Sequence, residues 1–207
     1  MYTSKIKLSN ITNLSDARFA AAVGIDYIGF CFDTNDVSYI PPVKAKEIFE
    51  WTSGTIIVAE FGEQSIDEIK DISELLSVDF IEISNSILPD ELSTFQIPLI
   101  KKIDLDEFDM DSLSFEIETY KATCHAFHLF SSSGKDDFNR DTLKELCLNN
   151  LIIWGLPLDL YNTKNIVDTY NPFALNVSGG NEEKPGIKDF DEMNEWLDSM
   201  RIDDKLA

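Results

Sequence analysis

The chain has 207 residues and a formal net charge of −21, from 17 Lys+Arg against 38 Asp+Glu. That charge repels the phosphates of nucleic acids and anionic lipid surfaces, so it argues against nucleic acid and membrane partners. Hydrophobic residues make up 43% of the chain, which is enough for the core of one domain or a compact α/β barrel.

The first half of the chain alternates apolar strands with helices. Asn13 or Ser15 caps the first helix and Gly24 ends it, while Ser65 caps a later one. The predicted strands are 5–9, 26–32, 55–61 and 79–84, and the predicted helices are 13–23, one that follows Pro41-Pro42 and runs through Trp51, 66–76 and a short one from 88.

The second half continues the alternation after an acidic loop and a helix within 105–123. The predicted strands are 98–103, 124–130, 151–154 and 173–178, and the helices are 137–148, 163–170 and 190–200, the last capped by Asp189. Eight strand–helix units of about 25 residues favour a closed (β/α)8 TIM barrel over a doubly wound sheet. The fold class is therefore α/β, with residues 1–207 as a single domain.

Composition and motifs also bear on the compartment. No apolar run is long enough to span a membrane, and the first residues lack the apolar segment of a signal peptide. Cys31, Cys124 and Cys147 show neither disulfide-framework nor zinc-ligand spacing. These features predict a cytoplasmic protein with free thiols and no metal site.

A glycine pair ends the last predicted strand, and Pro185-Gly186 then turns the chain. Strand ends of this kind leave backbone N–H groups that can hold a phosphate, although two glycines are also an ordinary turn. Barrels often bind phosphate at the loops after strands seven and eight. The predicted phosphate-binding residues are Gly155, Leu156, Ser178, Gly179 and Gly180.

Three segments resemble the phosphoribosylanthranilate isomerase family, the tryptophan-biosynthesis barrel. Residues 7–13 (KLSNITN) resemble the family's Lys-Ile-Cys-Gly-Ile-Thr, residues 176–182 (NVSGGNE) its Asp-Val-Ser-Ser-Gly-Val-Glu, and residues 185–189 (PGIKD) its Pro-Gly-Val-Lys-Asp. The resemblance implies a TIM barrel, a phosphorylated small-molecule ligand and no cofactor. It also implies an Amadori rearrangement, while a homodimer stays open.

The chain departs from the family where that rearrangement needs an acid and a base. Ser9 occupies the position of the base cysteine, and a serine hydroxyl without an adjacent base is a poor proton acceptor. Phe130 occupies the position of the acid aspartate. Ser38 stands where an arginine holds the anthranilate carboxylate, and Asn176 where the family has another aspartate.

Two residues are candidates for substitute chemistry, namely Ser9 and His128. Ser9 is either a hydrogen-bonding partner of a ligand or a remnant of the family site. His128 faces the same way as Phe130, so a slip of two residues in the strand would bring it to the acid position. A histidine in an apolar strand is more often a core residue. The predicted substrate-binding residues are Asn10, Ser38, Glu82 and Asn176.

Other polar residues allow more than one interpretation. Lys7 should also face the barrel interior, where Glu60, Glu82 or the neighbours of Lys101 could pair with it, and a salt-bridge network is favoured over catalysis. Lys135 either reaches a phosphate or is an exposed loop lysine. Asp104, Asp106 and Asp109 lack the spacing of a calcium loop, which favours a solvated acidic loop.

Three functions follow from these departures. The first is a family member that binds a phosphorylated molecule with the usual isomerase chemistry lost or altered. The second is an active phosphoribosylanthranilate isomerase that uses substitute groups such as Ser9 and His128. The third is a non-enzymatic partner of another enzyme. Fold alone does not choose among them.

Overall fold

The computed structural model describes residues 2–84, 86–178, 182–184, 187–188 and 190–202. Eight parallel strands close into a barrel in chain order, and each is followed by a helix, so the predicted (β/α)8 fold is confirmed. The barrel strands are β1 (Lys5–Ser9), β2 (Tyr27–Cys31), β3 (Ile56–Phe61), β4 (Phe80–Ile83), β5 (Leu99–Asp104), β6 (Ala126–Phe130), β7 (Ile152–Gly155) and β8 (Ala174–Ser178).

The helices form the outer layer of the barrel. They are α1 (Leu14–Val23), α2 (Pro42–Phe49), α3 (Ile66–Leu76), α4 (Pro89–Leu92), α5 (Met110–Tyr120), α6 (Arg140–Asn149), α7 (Thr163–Tyr170) and α8 (Asp191–Ser199), with a 3-10 turn at Leu105–Glu107. Two short antiparallel strands, β9 (Glu182–Lys184) and β10 (Ile187–Lys188), precede α8. Within the described residues, none of the helices has the length and apolarity needed to cross a membrane.

Capping interactions fix several helix ends where the sequence predicts them. The Asn13 side chain accepts from the Asp16 N–H at 3.0 Å, and Gly24 ends α1 with a left-handed φ of 82°. Ser65 and Glu68 form a reciprocal capping box at the start of α3. Such caps satisfy the N–H groups that the first turn of a helix leaves without partners.

The structure adds detail at the starts of two helices, α5 and α8. Asp109, assigned to a solvated acidic loop, caps α5 by accepting from the Ser112 N–H at 2.8 Å. Phe190 occupies the N-cap position of α8 without a side-chain capping bond. Asp189, the predicted cap, lies outside the described residues.

The barrel interior is built in layers of inward-pointing side chains. The lower layer, toward the N-terminal ends of the strands, is apolar and consists of Tyr27, Val58, Ile100, Ala126, Ile153 and Ala174. Because side chains alternate along a strand, the residues two positions further on also point inward. That next layer is polar and contains Lys7, Glu60, Glu82, Lys102, His128 and Asn176. It lies just beneath the C-terminal mouth, where barrel enzymes place their sites.

Strand pairing fixes the register of β6 in this layer. His128 pairs with Lys102 of β5, and Phe130 pairs with Gly155 of β7. Phe130 is therefore the last strand residue at the mouth, and His128 lies one pleat deeper in the barrel.

Candidate active site

The upper interior holds a connected group of polar side chains, called here the core ion cluster. Its members are Lys7, Ser9, Glu60, Glu82, His128 and Asn176. Five strands contribute to it, and closure of the barrel brings β8 beside β1. All members except the half-buried Asn176 are buried.

Lys7 is the centre of the cluster. Its ammonium lies 2.5 Å from Oε1 of Glu60 and 3.0 Å from Oε2 of Glu82, and it donates to Ser9 Oγ at 2.7 Å. Burial alone would lower the pKa of Lys7, but the two carboxylates raise it above its usual value. The amine therefore stays protonated and cannot serve as a base near neutral pH. The predicted pairing of Lys7 with Glu60 and Glu82 is confirmed.

The Ser9 hydroxyl is fully engaged in this cluster. Its oxygen accepts from Lys7 and lies 2.7 Å from both Glu60 Oε1 and Asn176 Oδ1. A hydroxyl has one proton to donate, so Ser9 bonds to one of these two acceptors at a time. An alkoxide at Ser9 would lie between the Lys7 ammonium, which would attract it, and the Glu60 carboxylate, which would repel it.

His128 and Glu82 form the deeper half of the cluster. Nδ1 of His128 lies 3.1 Å from both carboxylate oxygens of Glu82. Burial alone would raise the pKa of Glu82, but Lys7 and His128 hold it far below its usual value. Burial lowers the pKa of His128 despite the opposing effect of Glu82, and Lys7 and Lys102 lower it further.

These shifts define the state of the imidazole near neutral pH. Neutral His128 facing an ionised carboxylate keeps its proton on Nδ1, which leaves a lone pair on Nε2. Nε2 is buried without a hydrogen-bond partner. It faces Gly155, where any side chain would collide with the imidazole. Gly155 therefore leaves space for the His128 ring in this structure. The sequence analysis assigned Gly155 to phosphate binding and did not identify this contact.

The other predicted site residues lie around the mouth and outside the cluster. Ser38 lies in the turn after β2, where its N–H donates to Asp36 Oδ1 at 2.7 Å. Asn10 follows Ser9 with a left-handed φ of 62° and is half-buried. The half-buried Phe130 lies at the mouth end of β6.

The predicted phosphate loop is only partly described. Gly179 and Gly180 lie outside the described residues. Leu156 is buried, and the exposed Ser178 lines a cleft of about 410 Å³ between the loop after β7 and α8. Three acidic residues share that cleft, namely Asp159, Glu192 and Glu195. An anion near Ser178 would therefore depend on backbone N–H groups to offset these carboxylates.

The loop after β6 contains an anion site that the chain itself fills. The carboxylate of Asp106 accepts from the Ser133 N–H at 2.8 Å and from the hydroxyls of Ser131 and Ser133 at 2.9 and 3.0 Å. These bonds, led by the Ser133 N–H, lower the pKa of Asp106 to about 2. Lys135 lies 3.7 Å from the same carboxylate.

The role of Asp106 corrects the interpretation of the acidic run as purely solvated. In the sequence, the run of three serines at 131–133 indicates a loop with several donors that can bind a carboxylate. Among the described residues, no group of three or more His, Cys, Asp or Glu side chains could hold a metal ion. All three cysteines are free.

Comparison with known proteins identifies one family over most of the chain. The family model of N-(5'-phosphoribosyl)anthranilate (PRA) isomerase matches residues 6–199. The N-(5'-phosphoribosyl)anthranilate isomerase of Syntrophus aciditrophicus (strain SB) is 26% identical over 205 residues, which cover 96% of this chain and 87% of that protein.

Two solved structures show the same fold. Monomers generated from the dimeric phosphoribosylanthranilate isomerase of Thermotoga maritima give a TM-score of 0.81 at 22% identity, covering 95% of this chain and 98% of that one. A phosphoribosyl anthranilate isomerase in complex with reduced 1-(o-carboxyphenylamino)-1-deoxyribulose 5-phosphate gives 0.79 at 22% identity, with the same coverage.

Proposed function

The chain belongs to the N-(5'-phosphoribosyl)anthranilate isomerase family, and we propose that it binds a phosphorylated small molecule at the barrel mouth without carrying out the family's usual isomerisation. The observation that carries this proposal is the state of Ser9. A serine hydroxyl stands at the position of the family's base, where it is a poorer proton acceptor than a thiolate and is already hydrogen-bonded within the core ion cluster.

The groups around Ser9 do not supply an evident replacement. Lys7 is held protonated by two carboxylates, so it has no lone pair to offer. Glu60 Oε1 is already bound by the Lys7 ammonium at 2.5 Å and lies 2.7 Å from the Ser9 hydroxyl. On the opposite side of the mouth, the phenyl ring of Phe130 transfers no proton.

Relatives support a phosphorylated ligand. One family member of solved structure holds a ligand with a 5-phosphate. The chain keeps glycines at the ends of β7 and β8, the loops where barrels often bind phosphate. The Thermotoga maritima relative is described as dimeric, which supports a homodimer for this chain, and sedimentation velocity would test that assembly.

A second candidate function rests on the contact between His128 and Glu82. A carboxylate that fixes the imidazole tautomer and leaves a lone pair on Nε2 is an arrangement that general bases use. This candidate is an active isomerase with rebuilt proton transfer. The depth of His128, which is 2% exposed, is the reason that we rank it second.

Calorimetric titration with ribose 5-phosphate and with ribose tests the ligand class. We expect the phosphate ester to bind and ribose not to bind. Ser178→Asp places a carboxylate at the mouth and should weaken binding about tenfold or more, since like charges repel at short range. Ser114→Asp adds the same charge on the exposed face of α5 and is the matched control. Equal affinity for the two sugars would contradict the proposal.

A further inference from the structure

Lys102 is an interior lysine that makes no direct contact with the core ion cluster, although its charge acts on Glu82 and His128. It follows the inward-pointing Ile100 by two residues on β5, so its side chain also points into the barrel. The adjacent Lys101 points the other way, toward α5, where its ammonium lies 4.8 Å from the centroid of the Tyr120 ring. The two consecutive lysines therefore occupy opposite faces of the strand.

The surroundings of Lys102 stabilise its charge only in part. The residue is half-buried, and its ammonium lies 4.7 Å from the centroid of the Phe130 ring. An aromatic face attracts a cation but accepts none of its N–H groups in a conventional hydrogen bond. Over the part of the chain that the structure describes, the Lys102 ammonium has no hydrogen-bond or ion-pair partner.

Among the described residues, Lys102 lacks a carboxylate partner although the chain has 38 acidic residues against 17 basic ones. By comparison, Lys7, which also lies in the upper interior, contacts two carboxylates. The nearest carboxylate further along β5 belongs to Asp104, whose Oδ1 accepts from the N–H groups of Ser132 and Asp106. The three N–H donors of Lys102 are therefore available to an anion that enters the barrel mouth.

We propose that Lys102 is an anion-binding residue of the barrel mouth, and that the ligand carries a second anionic group, a carboxylate or a phosphate, which binds this ammonium beside the Phe130 ring. The inference rests on the proposed function, because it names a further feature of the phosphorylated ligand. It also gives the mouth a cationic anchor on β5, away from Ser38 in the turn after β2.

Binding of an anion to Lys102 would change the pKa of His128. The groups facing its imidazole are Glu82 from β4, Lys7 from β1 and Lys102 from β5, with Gly155 on β7. The charge of Lys102 lowers the pKa of His128, so an anion bound to Lys102 would offset that effect and raise the pKa.

Calorimetry with three phosphate esters tests the second anionic group. Sorbitol 6-phosphate has one anionic group, 6-phosphogluconate adds a carboxylate, and sorbitol 1,6-bisphosphate adds a phosphate. Two of these ligands carry two anionic groups. We expect the better of these two to bind about tenfold or more tightly than sorbitol 6-phosphate, as for one charge-assisted hydrogen bond. Whether the carboxylate or the second phosphate gives the gain identifies the group.

Lys102→Gln should abolish that preference, whereas Lys144→Gln, which removes an exposed charge on α6, should retain it. The proposal would be overturned if the wild type bound ligands with one and with two anionic groups with nearly equal affinity. It would also be overturned if Lys102→Gln kept the wild-type preference. Thermal unfolding of both variants would verify that they are folded.

A second readout separates this proposal from the phosphate site. The chain has two histidines, so proton NMR resolves His128 once His125→Gln has assigned the other signal. Titration with acetate at constant ionic strength should raise the pKa of His128 in the wild type and not in Lys102→Gln. If no phosphate ester binds, the proposed function fails, and the acetate titration decides the role of Lys102 by itself. An unchanged pKa of His128 would then overturn it.

Discussion

Replacement of Lys7 by methionine should destabilise the barrel strongly. Methionine keeps most of the volume of the lysine side chain but removes the ammonium that contacts Glu60 at 2.5 Å and Glu82 at 3.0 Å. Both carboxylates are buried, so the variant leaves two like charges in the barrel interior without their cation. Removing one partner of a buried ion pair typically costs about 3–5 kcal/mol in the free energy of unfolding.

That cost translates into a large thermal effect. In a protein of this size 1 kcal/mol shifts the melting temperature by about 2–4 °C, so we expect a decrease of roughly 6–20 °C. Urea unfolding followed by circular dichroism measures the free energy directly. Lys144→Met, at an exposed position on α6, is the matched control and should change stability by less than about 0.5 kcal/mol.

A compensated variant tests the reasoning behind this magnitude. In Lys7→Met combined with Glu60→Gln and Glu82→Gln, the unpaired charges are gone, and at least half of the lost stability should return. Such recovery is expected because replacing a whole buried ion cluster by neutral groups often costs little. A loss below about 1 kcal/mol in Lys7→Met, or no recovery in the triple variant, would refute the account of the cluster.

Two further predictions follow from the deeper half of the cluster. The folded pKa of Glu82 is depressed, so its stabilisation is present above the unfolded value of about 4.3 and is lost as the pH falls from there toward the folded pKa. Glu82→Gln should remove this part of the acid dependence of urea unfolding, and an unchanged slope below about pH 4.3 would contradict it. Gly155→Ala should destabilise by about 1–3 kcal/mol, because the new methyl group meets the His128 ring and the Leu129 carbonyl. His128→Ala should recover part of that loss in the double variant, and additive losses would contradict the contact.

Much of the architecture was predictable because local signals and the hydrophobic pattern agree. The Ser65–Glu68 capping box and Gly24 mark helix ends by their own chemistry. The inward direction of Lys7 followed from alternation along β1, and a buried lysine requires carboxylates nearby. By contrast, Asp109 was not predicted as a cap, since an acidic run offers several equivalent candidates.

The details of the site depend on barrel closure and could not be predicted from local sequence. Glu82 is shared between Lys7 and His128, which lie on β1 and β6, so the three meet only across the barrel interior. The contact of Gly155 with His128 depends on the pairing of β6 with β7. Lys102 was missed because the outward or inward assignment of two consecutive lysines requires the strand register.

We propose that this family member lacks the usual proton-transfer chemistry. Turnover of phosphoribosylanthranilate, followed by the loss of anthranilate-type fluorescence, is the most direct test. Ser9→Ala and His128→Ala would be assayed beside the wild type and a heat-treated control. We expect no wild-type activity above that control. Clear turnover that decreases in Ser9→Ala or His128→Ala would contradict it and show that the barrel has rebuilt the reaction with its own groups.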